Sequence, residues 1–117
     1  RIENLRRVGE VAKLFVDAGI FTIASFISPF QKDRENIRAL FANNEFFEIY
    51  IKTSLEEAMK RDPKGLYKKA LDGKIPNFTG IDSSYEEPKN PELVIDTTEV
   101  TPDDAVKMIL EAIKEND

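Results

Sequence analysis

Two side chains that carry much of enzyme chemistry are missing from this sequence: its 117 residues include no cysteine and no histidine. Without cysteine there is no disulfide framework, no thiolate nucleophile and no thiol metal ligand. Without histidine there is no imidazole ligand and no base that titrates near neutrality, so proton transfer falls to carboxylates and lysines. No apolar run approaches the ~20 residues that span a bilayer, and no charged-then-apolar leader opens the chain. Positive charge is in deficit, with a net charge of -5, which argues against a dedicated nucleic-acid binder. Glycine is sparse: it stands only at positions 9, 19, 65, 73 and 80, and none of these begins a G-x-x-x-x-G-K-[ST] phosphate loop.

What is present points to a folded protein. Hydrophobic residues make up 41% of the chain, enough for a core, and charged residues make up 33%. The length suits one domain and is short for two. With no disulfides required, an intracellular setting is expected. The chain opens at Arg1, without methionine and already inside a helical pattern, so further sequence is expected upstream.

Periodicity sets out the elements. Leu5, Val8, Val11 or Ala12, Phe15 and Ala18 recur at three-to-four spacing, which predicts an amphipathic helix from Ile2 to Ala18 ended by Gly19. Ile20 to Ala24 reads as a short buried strand, and Ser25 to Phe30 as the loop that leaves it. A polar helix is expected over 31–42 and a second strand over 46–51. Ser54-Leu55-Glu56-Glu57 fits a capping box for a short helix ending near Arg61-Asp62-Pro63. Residues 61–91 hold three of the five glycines and four of the six prolines, and read as a lid without regular structure. A third strand is expected over 93–96. Thr101-Pro102-Asp103-Asp104 then starts a last helix, with Val106, Ile109, Leu110 and Ile113 as its buried face. Alternating strands and helices predict an α/β fold, a parallel sheet of three strands flanked by helices.

Four groups of residues are candidates for chemistry. Phe26 to Phe30 leaves the carboxyl end of an expected parallel strand, where open α/β sheets bind ligands. Its amides and the Ser28 hydroxyl then face a substrate, or it is an ordinary strand-to-helix turn. Lys32-Asp33-Arg34-Glu35 is either an anion-binding corner or a solvated helix start with local ion pairs. Arg1 and Asn4 share one helix face and suit a phosphate or sulfate oxygen, or are simple surface. Arg61, Lys64, Lys68, Lys69 and Lys74 gather cations on the lid, followed by Asn77-Phe78-Thr79-Gly80. Such cations can close over a polyanion while Phe78 stacks on a purine; alternatively Phe78 merely anchors a solvated loop.

Taken in order, these segments resemble the adenylylsulfate (APS) kinases, which occur alone or as the kinase part of PAPS synthases. The resemblance rests on Arg1-x-x-Asn4-x-Arg6-Arg7-Val8-x-Glu10-Val11-Ala12-Lys13-Leu14-Phe15 and on Phe26-Ile27-Ser28-Pro29-Phe30 with Lys32-Asp33-Arg34. It continues through Arg61-Asp62-Pro63-Lys64-Gly65-Leu66-Tyr67-Lys68-Lys69-Ala70 and Asn77-Phe78-Thr79-Gly80-Ile81-Asp82. It implies that residues 1–117 are the C-terminal portion of an APS kinase domain of P-loop kinase-like fold, with the lid at about 61–91 and without the phosphate-loop half. The implied reaction moves the γ-phosphoryl of ATP, carried with Mg2+, to the 3′-hydroxyl of adenylylsulfate, giving PAPS and ADP.

The resemblance also assigns roles. Arg1 and Asn4, with Ile27 and Ser28, would bind the phosphosulfate end; Lys64 would lie beside the substrate; Phe78, next to Asn77, would form one side of an adenine sandwich. Ser28 matches a serine described in the family as a phosphoserine intermediate, whereas direct in-line transfer needs no covalent step. Arg61 and Lys68, with the other lid lysines, would screen phosphoryl charge, and Val100 would approach the ATP adenine. A metal site in this segment is not expected. A homodimer, a cytoplasmic location and fusion or association with ATP sulfurylase follow from the family, with no nucleic-acid or membrane partner. The sequence departs from the family at Leu71, often arginine there, and at Lys52-Thr53-Ser54, where Asp-x-Pro is common. Without the phosphate loop the segment itself is expected to be inactive. Alternatives are a non-catalytic nucleotide-binding or regulatory module, and a related P-loop kinase acting on another nucleotide.

Overall fold

The computed structural model describes residues 2–115. Elements follow in the order α1 (Ile2–Asp17), α2 (Gln31–Arg38), β1 (Ile49–Lys52), α3 (Leu55–Arg61), α4 (Leu66–Leu71), β2 (Leu93–Asp96) and α5 (Pro102–Glu115). The chain divides into two compact units, residues 1–47 and 48–117.

The first unit is built on α1 and α2. Helix α1 ends as its sequence predicts: Gly19 takes a φ of +83°, its N–H donates to the Val16 carbonyl, and the Ile20 N–H reaches back to Phe15. This pair of bonds is a Schellman motif, which a left-handed glycine makes inexpensive. Gly9 is buried, and a Cβ there would lie 3.1 Å from Ile37 Cγ1, so the missing side chain lets the two helices approach. Behind α2, Phe41 and Phe46 pack with centroids 5.5 Å apart, and Arg38 lies over the Phe46 ring at 4.6 Å.

The second unit holds the sheet. Strands β1 and β2 run parallel, with Ile49 opposite Leu93 and Lys52 opposite Asp96. Ile95, fully buried, is the centre of this unit, and Ala70 of α4 is also buried. Thr97 continues the ladder by donating its N–H to the Lys52 carbonyl at 2.9 Å. Ser54 caps α3, its Oγ accepting from the Glu57 N–H at 3.1 Å. The Glu57 carboxylate does not close the capping box; it accepts from Arg61 Nε at 3.0 Å. Thr101 caps α5 through the Asp104 N–H. A parallel pair flanked by helices is the expected α/β arrangement.

Several expectations need correction. Residues 20–24 form no strand: Ile20, Phe21 and Ile23 are 51%, 70% and 84% exposed, and no ladder partner lies among the described residues. β-Branched and aromatic residues express a demand for burial, and a strand also needs a neighbour to pair with. The sheet therefore has two strands where three were expected. Helix α2 stops at Arg38 and β1 begins at Ile49, so both elements are shorter than their patterns. The lid is not without regular structure, since it contains α4. On α5, Val106 and Leu110 are exposed, and the face packed within the unit is carried by Ile109 and Ile113, which are half-buried.

Candidate functional site

In the first unit the loop from Ser25 to Phe30 and the start of α1 enclose a pocket of about 310 Å³, lined by Asn4, Leu5, Ile27, Ser28, Phe30 and Asp33 among others. That volume is at the lower end of small-molecule sites, roughly 300–1,000 Å³. Its wall is largely apolar, with Asn4, Ser25, Ser28 and Asp33 as the polar groups. Phe30 is the N-cap of α2 and offers no side-chain cap bond. The N-terminus of that helix, the positive end of its dipole, adjoins the pocket.

Ser28 sits at the tightest point of the loop. Its φ is +38°, a left-handed conformation that side chains rarely adopt. Pro29, buried, follows it. Asn4, Ile27 and Ser28 line this one pocket. Arg1 lies outside the described residues. Arg34, a candidate for an anion-binding corner, turns inward: it is 8% exposed and donates to the Ser28 carbonyl and, at 2.9 Å, to Gln31 Oε1.

In the second unit the lid is organised by two aspartates. The Asp62 carboxylate accepts from the N–H groups of Tyr67 and Lys68 at 3.1 and 3.2 Å, capping α4. Between them Gly65, with a φ of +65°, bends the chain so that Lys64 stands exposed in the turn. Further on, the Asp82 carboxylate accepts from the N–H groups of Asn77 (2.8 Å) and Phe78. The Phe78 carbonyl in turn accepts from Ile81, Asp82 and Ser83. Asn77 has a φ of +54°, which asparagine tolerates better than most residues. The Phe78 ring is half-buried and meets Tyr67 edge-on, with centroids 4.9 Å apart.

Arg61 is differently employed from the free lid cation expected. Its guanidinium bonds Glu57, the Thr97 hydroxyl at 3.2 Å and the Thr97 carbonyl at 3.0 Å, tying α3 to the segment after β2. Lys64 and Lys68 are exposed, and Val100 is half-buried just before α5. Beside it, Asp96 accepts from both the hydroxyl and the N–H of Thr98, and these bonds hold its carboxyl below the ordinary carboxylate value. Sequence reasoning missed Tyr67, Asp82 and the inward turn of Arg34. Asp82 stands in the Asn77-to-Asp82 motif, but residue type alone did not show that its carboxylate reaches back to the N–H groups four and five positions earlier. Among the described residues no three His, Cys, Asp or Glu side chains converge to hold a metal ion, and no helix is long and apolar enough to cross a membrane.

The family model described as Adenylylsulphate kinase matches residues 1–96. The chain is 56% identical over its whole length to the adenylyl-sulfate kinase of Staphylococcus epidermidis, covering 59% of that protein. It is 58% identical over 114 residues to the adenylyl-sulfate kinase of Geotalea uraniireducens, covering 97% of this chain and 55% of that protein. Among solved structures it is similar to the APS kinase of Mycobacterium tuberculosis in complex with AMPPNP and APS. There the TM-score is 0.90 at 38% identity, covering 97% of this chain and 66% of that one. The chain therefore spans a little over half the length of the curated relatives it matches.

Proposed function

The chain belongs to the adenylylsulphate kinase family, and we propose that the protein it forms part of phosphorylates adenylylsulfate at its 3′-hydroxyl, giving PAPS. The 3′-hydroxyl oxygen attacks the γ-phosphorus of ATP and releases its proton to solvent, the bond to the β,γ-bridging oxygen breaks, and ADP leaves. The observation that carries this reading is the pocket between Asn4 and the Phe26–Phe30 loop, set at an uncapped helix N-terminus. The positive end of a helix dipole favours an anionic ligand group, and the phosphosulfate of adenylylsulfate is one.

In this reading Asn4, Ile27 and Ser28 hold the phosphosulfate end, with Arg1 assisting. Phe78 offers a face to the adenine, set by Asn77 and Tyr67, and Lys64 and Lys68 supply charge toward phosphoryl oxygens. Arg61 contributes by holding the segment after β2, which leads to Val100 and the ATP side. Ser28 acts by position: phosphoryl transfer depends mainly on alignment and charge stabilisation, and needs no covalent serine intermediate. Mg2+ enters with ATP as co-substrate.

The reading extends to a cytoplasmic homodimer, fused to or associated with ATP sulfurylase, and to a 117-residue segment that does not turn over by itself. The test is phosphoryl transfer by the full-length protein from labelled ATP to adenylylsulfate, AMP and adenosine in parallel. Label in PAPS, with strong preference over the other acceptors, supports the proposal. Equal use of AMP would identify a kinase for another nucleotide, and adenylylsulfate binding without transfer would identify a non-catalytic module.

A further inference from the structure

We infer that Arg34 is a positioning residue for the substrate loop: its buried guanidinium fixes the Ser28–Pro29 peptide and thereby shapes the pocket wall formed by Ile27 and Ser28. The inference deepens the proposed function and rests on it for the identity of the ligand.

Among the described residues Arg34 is the one charged side chain that is buried, at 8% exposure. A buried cation is costly unless its donors are satisfied, so its retention calls for a physical reason. Arg34 does not point at the pocket as a free charge. One arm donates to the main-chain carbonyl of Ser28 and the other to Gln31 Oε1 at 2.9 Å. Gln31 is held in turn, its Nε2 donating to Glu35 Oε1 at 3.1 Å.

The held carbonyl is the informative one. Ser28 has a φ of +38° and precedes a proline, two conditions that disfavour its backbone conformation. The following residue, Pro29, has no N–H, so the peptide between them can be anchored only through its carbonyl oxygen. Arg34 takes that oxygen and fixes ψ of Ser28, while the pyrrolidine ring fixes φ of Pro29. The turn is set from both sides, and the N–H groups of Ile27 and Ser28 donate to no protein acceptor among the described residues. Clamping by the carbonyl holds the loop rigid and leaves its donors for a ligand. A guanidinium can span two acceptors in a fixed fork, whereas an ammonium is a single point of charge.

The test uses the full-length protein and the variants Arg34→Lys and Arg34→Gln, read in two independent ways. Steady-state kinetics should show KM for adenylylsulfate raised about tenfold or more in both variants, with KM for ATP little changed. The 15N order parameters of Ile27 and Ser28 should fall from rigid values, roughly 0.85, toward those of a flexible loop, while those of α1 stay in place. If Arg34→Lys keeps wild-type affinity and only Arg34→Gln loses it, charge alone matters and the positioning role is overturned. Order parameters and KM both unchanged would overturn it as well. Should the Arg34 variants fail to fold, Gln31→Leu releases one arm only and should move both readouts in the same direction by less; no movement there counts against the inference. If the wild type does not use adenylylsulfate, the proposed function fails, and the order parameters still decide the role of Arg34.

Discussion

The two loops that present candidate substrate groups are held in opposite ways. Ser28 in the first unit and Asn77 in the second both take left-handed φ values, and a charged side chain a few positions later clasps each loop. Around Ser28 the clasp is a cation, Arg34, and it takes a carbonyl. Around Asn77 it is an anion, Asp82, and it takes two N–H groups. The sign of the clasp decides what remains for a ligand. The Ser28 loop keeps its N–H donors and suits an anion. The Asn77 loop has its donors engaged and presents a ring, Phe78, backed edge-on by Tyr67. Under the proposed function the first loop takes the charged end of the substrate and the second its flat base.

Substitutions can break this division. The largest effect is expected at Phe78: Phe78→Ala removes the stacking face and should weaken adenylylsulfate binding about tenfold to a hundredfold by calorimetry, since base stacking is worth ~1–3 kcal/mol. Phe78→Tyr, which keeps the ring, should stay close to wild type. A smaller effect is expected from Asp82→Ala, which leaves the N–H groups of Asn77 and Phe78 without their carboxylate. Those bonds are exposed, so the stability cost should be about 1 kcal/mol, read as a lower urea midpoint with an unchanged slope. Affinity should fall further than stability alone requires, because Phe78 loses its fixed direction.

The smallest effect serves as a control outside both loops. Asp96 is held by Thr98 with its carboxyl below the ordinary 3.8, so it is more acidic folded than unfolded. Such a group contributes stability above its unfolded value, and that contribution is lost as pH falls through the lower, folded value. Thr98→Val removes the hydroxyl donor, the first cause of the shift, and should move the Asp96 carboxyl resonance to titrate at higher pH. The acid-side loss of stability should become correspondingly shallower, with adenylylsulfate affinity at neutral pH unaffected.

The sequence was most informative where one residue determines local geometry. Gly19 as helix terminator, Ser54 and Thr101 as caps and the β2 strand at 93–96 all read directly from residue type and spacing. The pocket was legible in part, because Asn4, Ile27 and Ser28 do meet. Legibility failed where an element depends on a partner. Ile20 to Ala24 has strand composition and no strand beside it among the described residues, and the α5 pattern marks Val106 and Leu110 as buried though they are exposed. It failed also where a charged residue works inward. Nothing in Lys32-Asp33-Arg34-Glu35 distinguishes the one side chain that turns to the backbone from its solvated neighbours. Likewise, α4 was hidden because the glycines and prolines around it outweighed its six-residue helical run.

The most direct measurement is an amide chemical-shift titration of the full-length protein with adenylylsulfate and, separately, with AMP, which lacks the sulfate. Adenylylsulfate should shift Ile27 and Ser28 as well as Asn77 and Phe78, while AMP shifts Phe78 and its neighbours and leaves the Ser28 loop largely unmoved. If AMP moved the Ser28 loop as strongly as adenylylsulfate does, or if neither ligand touched it, the assignment of that loop to the phosphosulfate group would be contradicted.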